Sequence, residues 1–69
     1  MKEPLTPDEI LQEALSREVE ARDFYGRLAE RTSVPLVRDF LERLKNEESK
    51  HVRLVEDMIT KLNLGRNVV

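Results

Sequence analysis

Residues 37–62 read VRDFLERLKNEESKHVRLVEDMITKL. Large apolar side chains recur along the stretch in alternating three- and four-residue steps: Val37, Leu41 and Leu44, then Val55, Met58 and Leu62. That step is the period of an α-helix face turned toward other helices, not the two-residue alternation of a strand. Two places on the same line are polar, Glu48 and His51. A polar side chain in a packed seam is costly unless it is paired or ligated. The stretch therefore raises a question of fold and a question of chemistry together.

Upstream, Thr6-Pro7-Asp8-Glu9 has the form of a helix start. Thr6 can cap, Pro7 suits the first helical position, and Glu9 completes a capping box. This predicts a first helix over about residues 7–31, with Gly26 tolerated inside it at about 1 kcal/mol. Its seam is Leu11, Ala14, Glu18, Ala21, Tyr25 and Leu28. Thr32-Ser33-Val34-Pro35 is the turn, with Ser33 as cap of a second helix over about 35–62. Asn63-Leu64-Gly65 reads as its stop. Met1–Leu5 is a lead-in and Arg66–Val69 a tail. No strand pattern or linker occurs, so residues 1–69 form a single all-α domain, an antiparallel two-helix hairpin. Ile10, Leu15 and Phe24 on the first helix, and Leu36, Phe40, Leu54 and Ile59 on the second, widen both stripes beyond what one neighbour covers. The expectation is a hairpin that dimerises into a four-helix bundle.

Composition narrows the chemistry. A chain of 69 residues buries too little surface to be comfortably stable alone. With no Cys, disulfides, thiolate zinc sites and iron–sulfur clusters are excluded, which leaves an O/N-ligated metal or self-association. A net charge of −2 and 4% aromatics give no reason to expect nucleic acid or an anionic membrane as partner. No apolar run approaches a bilayer span and no leader opens the chain, so the default expectation is cytoplasmic.

The polar seam residues share one level. In a hairpin turning near Ser33, residues equidistant from Ser33 face one another. Glu18 and Glu48 are such a pair, as are Tyr25 with Leu41 and Leu11 with Val55. His51 stands one turn beyond Glu48 on the same face. Two facing carboxylates in a seam repel or share a proton, a conflict that a cation resolves. Two hairpins would offer four Glu and two His. That is the inventory of di-iron or di-manganese bundle sites, and it suits iron or manganese better than structural zinc.

At these residues the chain resembles the ferritin-like/rubrerythrin superfamily. Glu18, Ala21 and Tyr25 match its first ligand helix, and Glu48-Ser49-Lys50-His51 its Glu-x-x-His element. A single hairpin per chain resembles the two-helix branch, the encapsulated ferritins, whose ligand helix is similar to residues 18–25. The resemblance covers about residues 9–60. It implies an iron-oxidising centre with Glu18, Glu48 and His51 as ligands, and one di-iron site per homodimer. It further implies larger rings, and packing inside an encapsulin-type shell, a protein nanocompartment. Departures are also visible: the chain stops soon after the second helix, and Arg17 replaces an acidic residue, leaving Glu20 as the remaining member of an entry site for metal.

Each residue also has a plainer reading. Glu20 and Glu47 read first as surface charge, Tyr25 as a core aromatic whose hydroxyl can bond a ligand carboxylate across the dimer, and Met58 and the Phe residues as core filler. Gly26 either permits close helix approach or is a tolerated surface glycine. The leading expectation is a ferroxidase-type protein that oxidises Fe(II) with O₂ or peroxide, for storage or detoxification. The rivals are a metal-free hairpin serving as an interaction or scaffold module, and a purely structural metal site.

Overall fold

A computed structural model of the chain describes residues 3–67, and the surroundings of side chains through residue 65; Met1, Lys2, Val68 and Val69 of the expected lead-in and tail lie outside the described residues. Two helices follow one another, α1 over Pro7–Arg31 and α2 over Pro35–Asn67, packed antiparallel as a hairpin. No described helix is long and apolar enough to cross a membrane.

The helix ends follow from local chemistry. Thr6 N–H donates to Glu9 Oε1 at 3.0 Å and Glu9 N–H donates to Thr6 Oγ1 at 3.2 Å, which closes the expected capping box ahead of Pro7. Those bonds, from the Thr6 backbone first and its side chain second, hold the Glu9 carboxyl below the usual carboxylate range. α1 ends on Thr32 in extended conformation, whose carbonyl accepts from Arg38 Nη2 at 2.8 Å. The Arg38 guanidinium thus ties the start of α2 back to the end of α1.

Two boundaries differ from the sequence expectation. Ser33 does not cap α2. The first helical bond runs from Arg38 N–H to the Val34 carbonyl, and the local hydroxyl bond is made by Thr32 Oγ1, which accepts from Val34 N–H at 3.2 Å. Of two adjacent hydroxyls, the one two residues before the donating N–H closes the turn. Nor does α2 stop near Leu62. It runs to Asn67 with Gly65 inside it, and no glycine has a positive φ. Glycine ends a helix only by turning left-handed, and without that turn it merely weakens the helix by about 1 kcal/mol.

The core is thin. Among the described residues only Ala29 and Val52 are buried, at 1% and 6% exposure. The half-buried positions around them run Leu11, Leu15, Glu18, Arg22 and Tyr25 on α1, and Leu41, Lys45, Glu48, Val55 and Ile59 on α2. This contact line is rotated from the predicted seams by about 50° on each helix, and to the same side of the hairpin, at the ~100° per residue of an α-helix. A helix at the corner of a four-helix square has its direct neighbour about 45° from the bundle centre. The sequence seams thus point away from the α1–α2 contact line and toward the open face of the hairpin.

The dimensions agree. The chain measures 54 × 32 × 12 Å, one helix thick, with a radius of gyration of 16.1 Å, against about 11 Å for a compact domain of this length. Its accessible surface is 5923 Å², about 1,400 Å² more than the ~4,500 Å² of a compact monomer of its mass. Large apolar side chains on the open face contribute to it. Ile10, Phe24 and Leu28 of α1, and Phe40, Leu54 and Met58 of α2, are 37–66% exposed. The Phe residues and Met58, expected as core filler, thus fill no core within one hairpin.

Candidate metal centre

Glu18 comes from the middle of α1, Glu48 and His51 from the middle of α2. The three-residue step places Glu48 and His51 on one α2 face, and the hairpin register brings Glu18 opposite them. One donor atom from each lies within 4.8 Å of the others. His51 Nδ1 is 3.3 Å from Glu18 Oε2 and 3.4 Å from Glu48 Oε2. The side chains are 31%, 20% and 48% exposed for Glu18, Glu48 and His51, a gradient that runs from the contact line to the open face.

The electrostatics show why the cluster is unusual. The carboxyl of Glu48 titrates above the ordinary carboxylate range. The main cause is a hydrogen bond with the Glu18 carboxyl, which requires a proton on one of the two; burial and the Glu18 charge act in the same direction, and His51 opposes them. The chain therefore stores a like-charge conflict at mid-helix.

The donor set fits a metal ion. Neighbouring donors held about 2.1 Å from a shared octahedral ion lie about 3 Å apart, and the observed 3.3 and 3.4 Å separations are close to that. Two carboxylates and one imidazole form a hard, oxygen-rich set suited to iron or manganese. This is the one group of three or more such donors among the described residues, and it consists of the three polar residues of the predicted seams. Ala29 and Val52, the buried positions among the described residues, lie off the predicted seams.

The other expected residues stand apart. Tyr25 is half-buried with its ring against Phe24, centroids 5.5 Å apart at 58°, and makes no hydrogen bond to the three donors among the described residues. Glu20 is exposed and pairs with Arg17 at 3.8 Å, and Arg17 also reaches Glu13 at 3.5 Å. Glu47 is exposed and pairs with Lys50 at 3.2 Å. Gly26 lies beneath the Lys45 stem, where a Cβ would meet Lys45 carbons at an ordinary 3.6 Å, so close helix approach does not require glycine there.

Compared with known proteins, residues 9–69 match the family model described as Rubrerythrin. No curated protein and no solved structure matches the chain.

Proposed function

The chain belongs to the rubrerythrin family, and from that membership and the Glu18–Glu48–His51 cluster we propose that it is half of a two-chain, ferritin-like di-iron centre that oxidises Fe(II) with O₂ or peroxide. The observation that carries the reading is the convergence of two carboxylates and His51 Nδ1 at one level, with the Glu48 carboxyl pushed up by its neighbour.

Iron held there supplies one-electron chemistry: two Fe(II) give the two electrons that take hydrogen peroxide to water, or dioxygen to hydrogen peroxide. The protein's part is positional and electrostatic. Glu18 and Glu48 supply negative charge in a half-buried seam, where it is screened less than in water. A carboxylate oxygen binds a metal only when unprotonated, so any proton that the raised Glu48 carboxyl carries in the metal-free state leaves on loading. His51 presents Nδ1 to the same point. A single hairpin gives three donors, too few for two ions; a second copy on the open face doubles them and covers the excess apolar surface. Burying about 1,400 Å² per chain makes an interface of about 2,800 Å², within the range of obligate dimers. Manganese is the other metal this donor set suits. The encapsulated branch, with a shell as partner, is supported by the ligand-helix motif alone.

The test is anaerobic loading of size-fractionated protein with Fe(II), followed by air. The expected result is about one iron per chain in a dimer or larger species, with oxidation and oxygen uptake that Glu48→Ala with His51→Ala abolishes. Full oxidation by that double variant would falsify the mechanism. A stable oligomer that takes up no metal would instead favour the interaction-module reading, and tight metal without turnover the structural site.

A further inference from the structure

The open face of α2 carries a second, unabsorbed pattern. Its stripe reads Phe40, Leu44, Glu47, His51, Leu54, Met58, and it is mirror-symmetric about Ser49: Phe40 matches Met58, Leu44 matches Leu54, and Glu47 matches His51. The open stripe of α1 is built the same way about Val19, with Ile10 matching Leu28, small Ala14 matching large Phe24, and Arg17 matching Ala21. Both centres fall within a residue of the Glu18–Glu48 level. A stripe that mirrors itself suits an isologous contact, because an antiparallel copy of the same helix then meets apolar with apolar at every pair but Arg17–Ala21 and Glu47–His51. The open face thus fits a second copy of this chain, α1 on α1 and α2 on α2.

In that register Glu47 of one chain stands opposite His51 of the partner subunit. His51 turns Nδ1 to Glu18 and Glu48, while its Nε2 has no partner within the chain among the described residues. A ligand imidazole ordinarily donates its second N–H to a carboxylate or carbonyl, which fixes the ring. Glu47 is held only by an exposed i,i+3 pair with Lys50, an interaction worth little in water. We propose that Glu47 is a positioning residue acting in trans: its carboxylate accepts from Nε2–H of His51 of the partner subunit and orients that ring toward the metal. This rests on the two-chain reading above and assigns a function to a residue that sequence alone placed on the surface.

The test uses the full-length chain with ¹⁵N-labelled histidine, first without metal. The expected result is a His51 Nε2–H slowed in solvent exchange in the dimer, retained in Lys50→Ala and lost in Glu47→Ala. A mixed dimer decides between trans and cis. When a Glu47→Ala chain pairs with a His51→Ala chain, the one remaining imidazole faces an intact Glu47 across the interface, and its slowed proton is retained; a cis contact predicts its loss. Anaerobic Co(II) titration adds the metal readout. Glu47→Ala is expected to weaken binding 10–100-fold with the dimer intact, and Glu47→Gln, which still accepts, to restore most of it. An Nε2–H unchanged by Glu47→Ala, or a chain that stays monomeric, overturns the proposal. A wild-type dimer that shows the slowed proton but takes no Co(II) or Fe(II) overturns the di-iron reading and leaves the contact standing.

Discussion

The two long faces of α2 share one composition and have different surroundings. One, through Leu41, Glu48, Val52 and Ile59, lies against α1 and is buried or half-buried. The other, through Phe40, Leu54 and Met58, is equally apolar and at least half exposed. Hydrophobicity alone does not tell which is inside. What separates them is that the first has a neighbour three residues of turn away, while the second has none in the same chain. The metal-type donors sit on the boundary, with Glu48 toward the closed face and His51 toward the open one. The centre is therefore placed where intrachain packing ends.

The contrast can be broken from the open side first. Leu54→Glu with Met58→Glu is expected to weaken self-association at least 100-fold, as sedimentation would report, because a mirrored contact places four buried charges at once. Unchanged association would mean that this face is not the contact. From the closed side, Val52→Ala is expected to cost about 2 kcal/mol in chemical denaturation. It should leave the association constant of the folded chain within a few-fold; equal damage to both would erase the distinction between the faces.

At the boundary, Glu48→Gln is expected to flatten the pH dependence of the metal-free protein. A carboxyl whose folded pKa is raised contributes stability that is present below its unfolded pKa and lost as pH rises through the folded value. Thermal unfolding across the acidic range should then show the wild type losing more stability than the variant on moving to neutral pH, and parallel curves would remove the proposed conflict. The smallest effect belongs to Gly26→Ala. With ordinary contact space beneath Lys45, alanine should stabilise the helix by about 0.5–1 kcal/mol; a loss would mean that the helices there are closer than 3.6 Å implies.

Legibility in the sequence followed range. The start of α1 was readable because Thr6 and Glu9 cap each other within one turn. The convergence of Glu18, Glu48 and His51 was readable because helix period and turn position together fix which residues share a level. The cap of α2 was not, since Thr32 and Ser33 are equivalent by composition and backbone geometry chooses between them. The end of α2 was not, since Gly65 can end a helix or ride inside it at similar cost. The rotation of the contact line was not, because the period shows that a face is apolar without separating a direct neighbour from a bundle centre.

The three donors come from one short hairpin, and that has a genetic consequence. If a second copy completes the centre as proposed, each codon near it is written once and used twice. A substitution at position 18, 48 or 51 changes both halves together, so the two metal positions cannot acquire different ligands one at a time. Unequal environments for two ions, or a gain made on one side alone, would require the hairpin to be duplicated and fused, or paired with a diverged sibling.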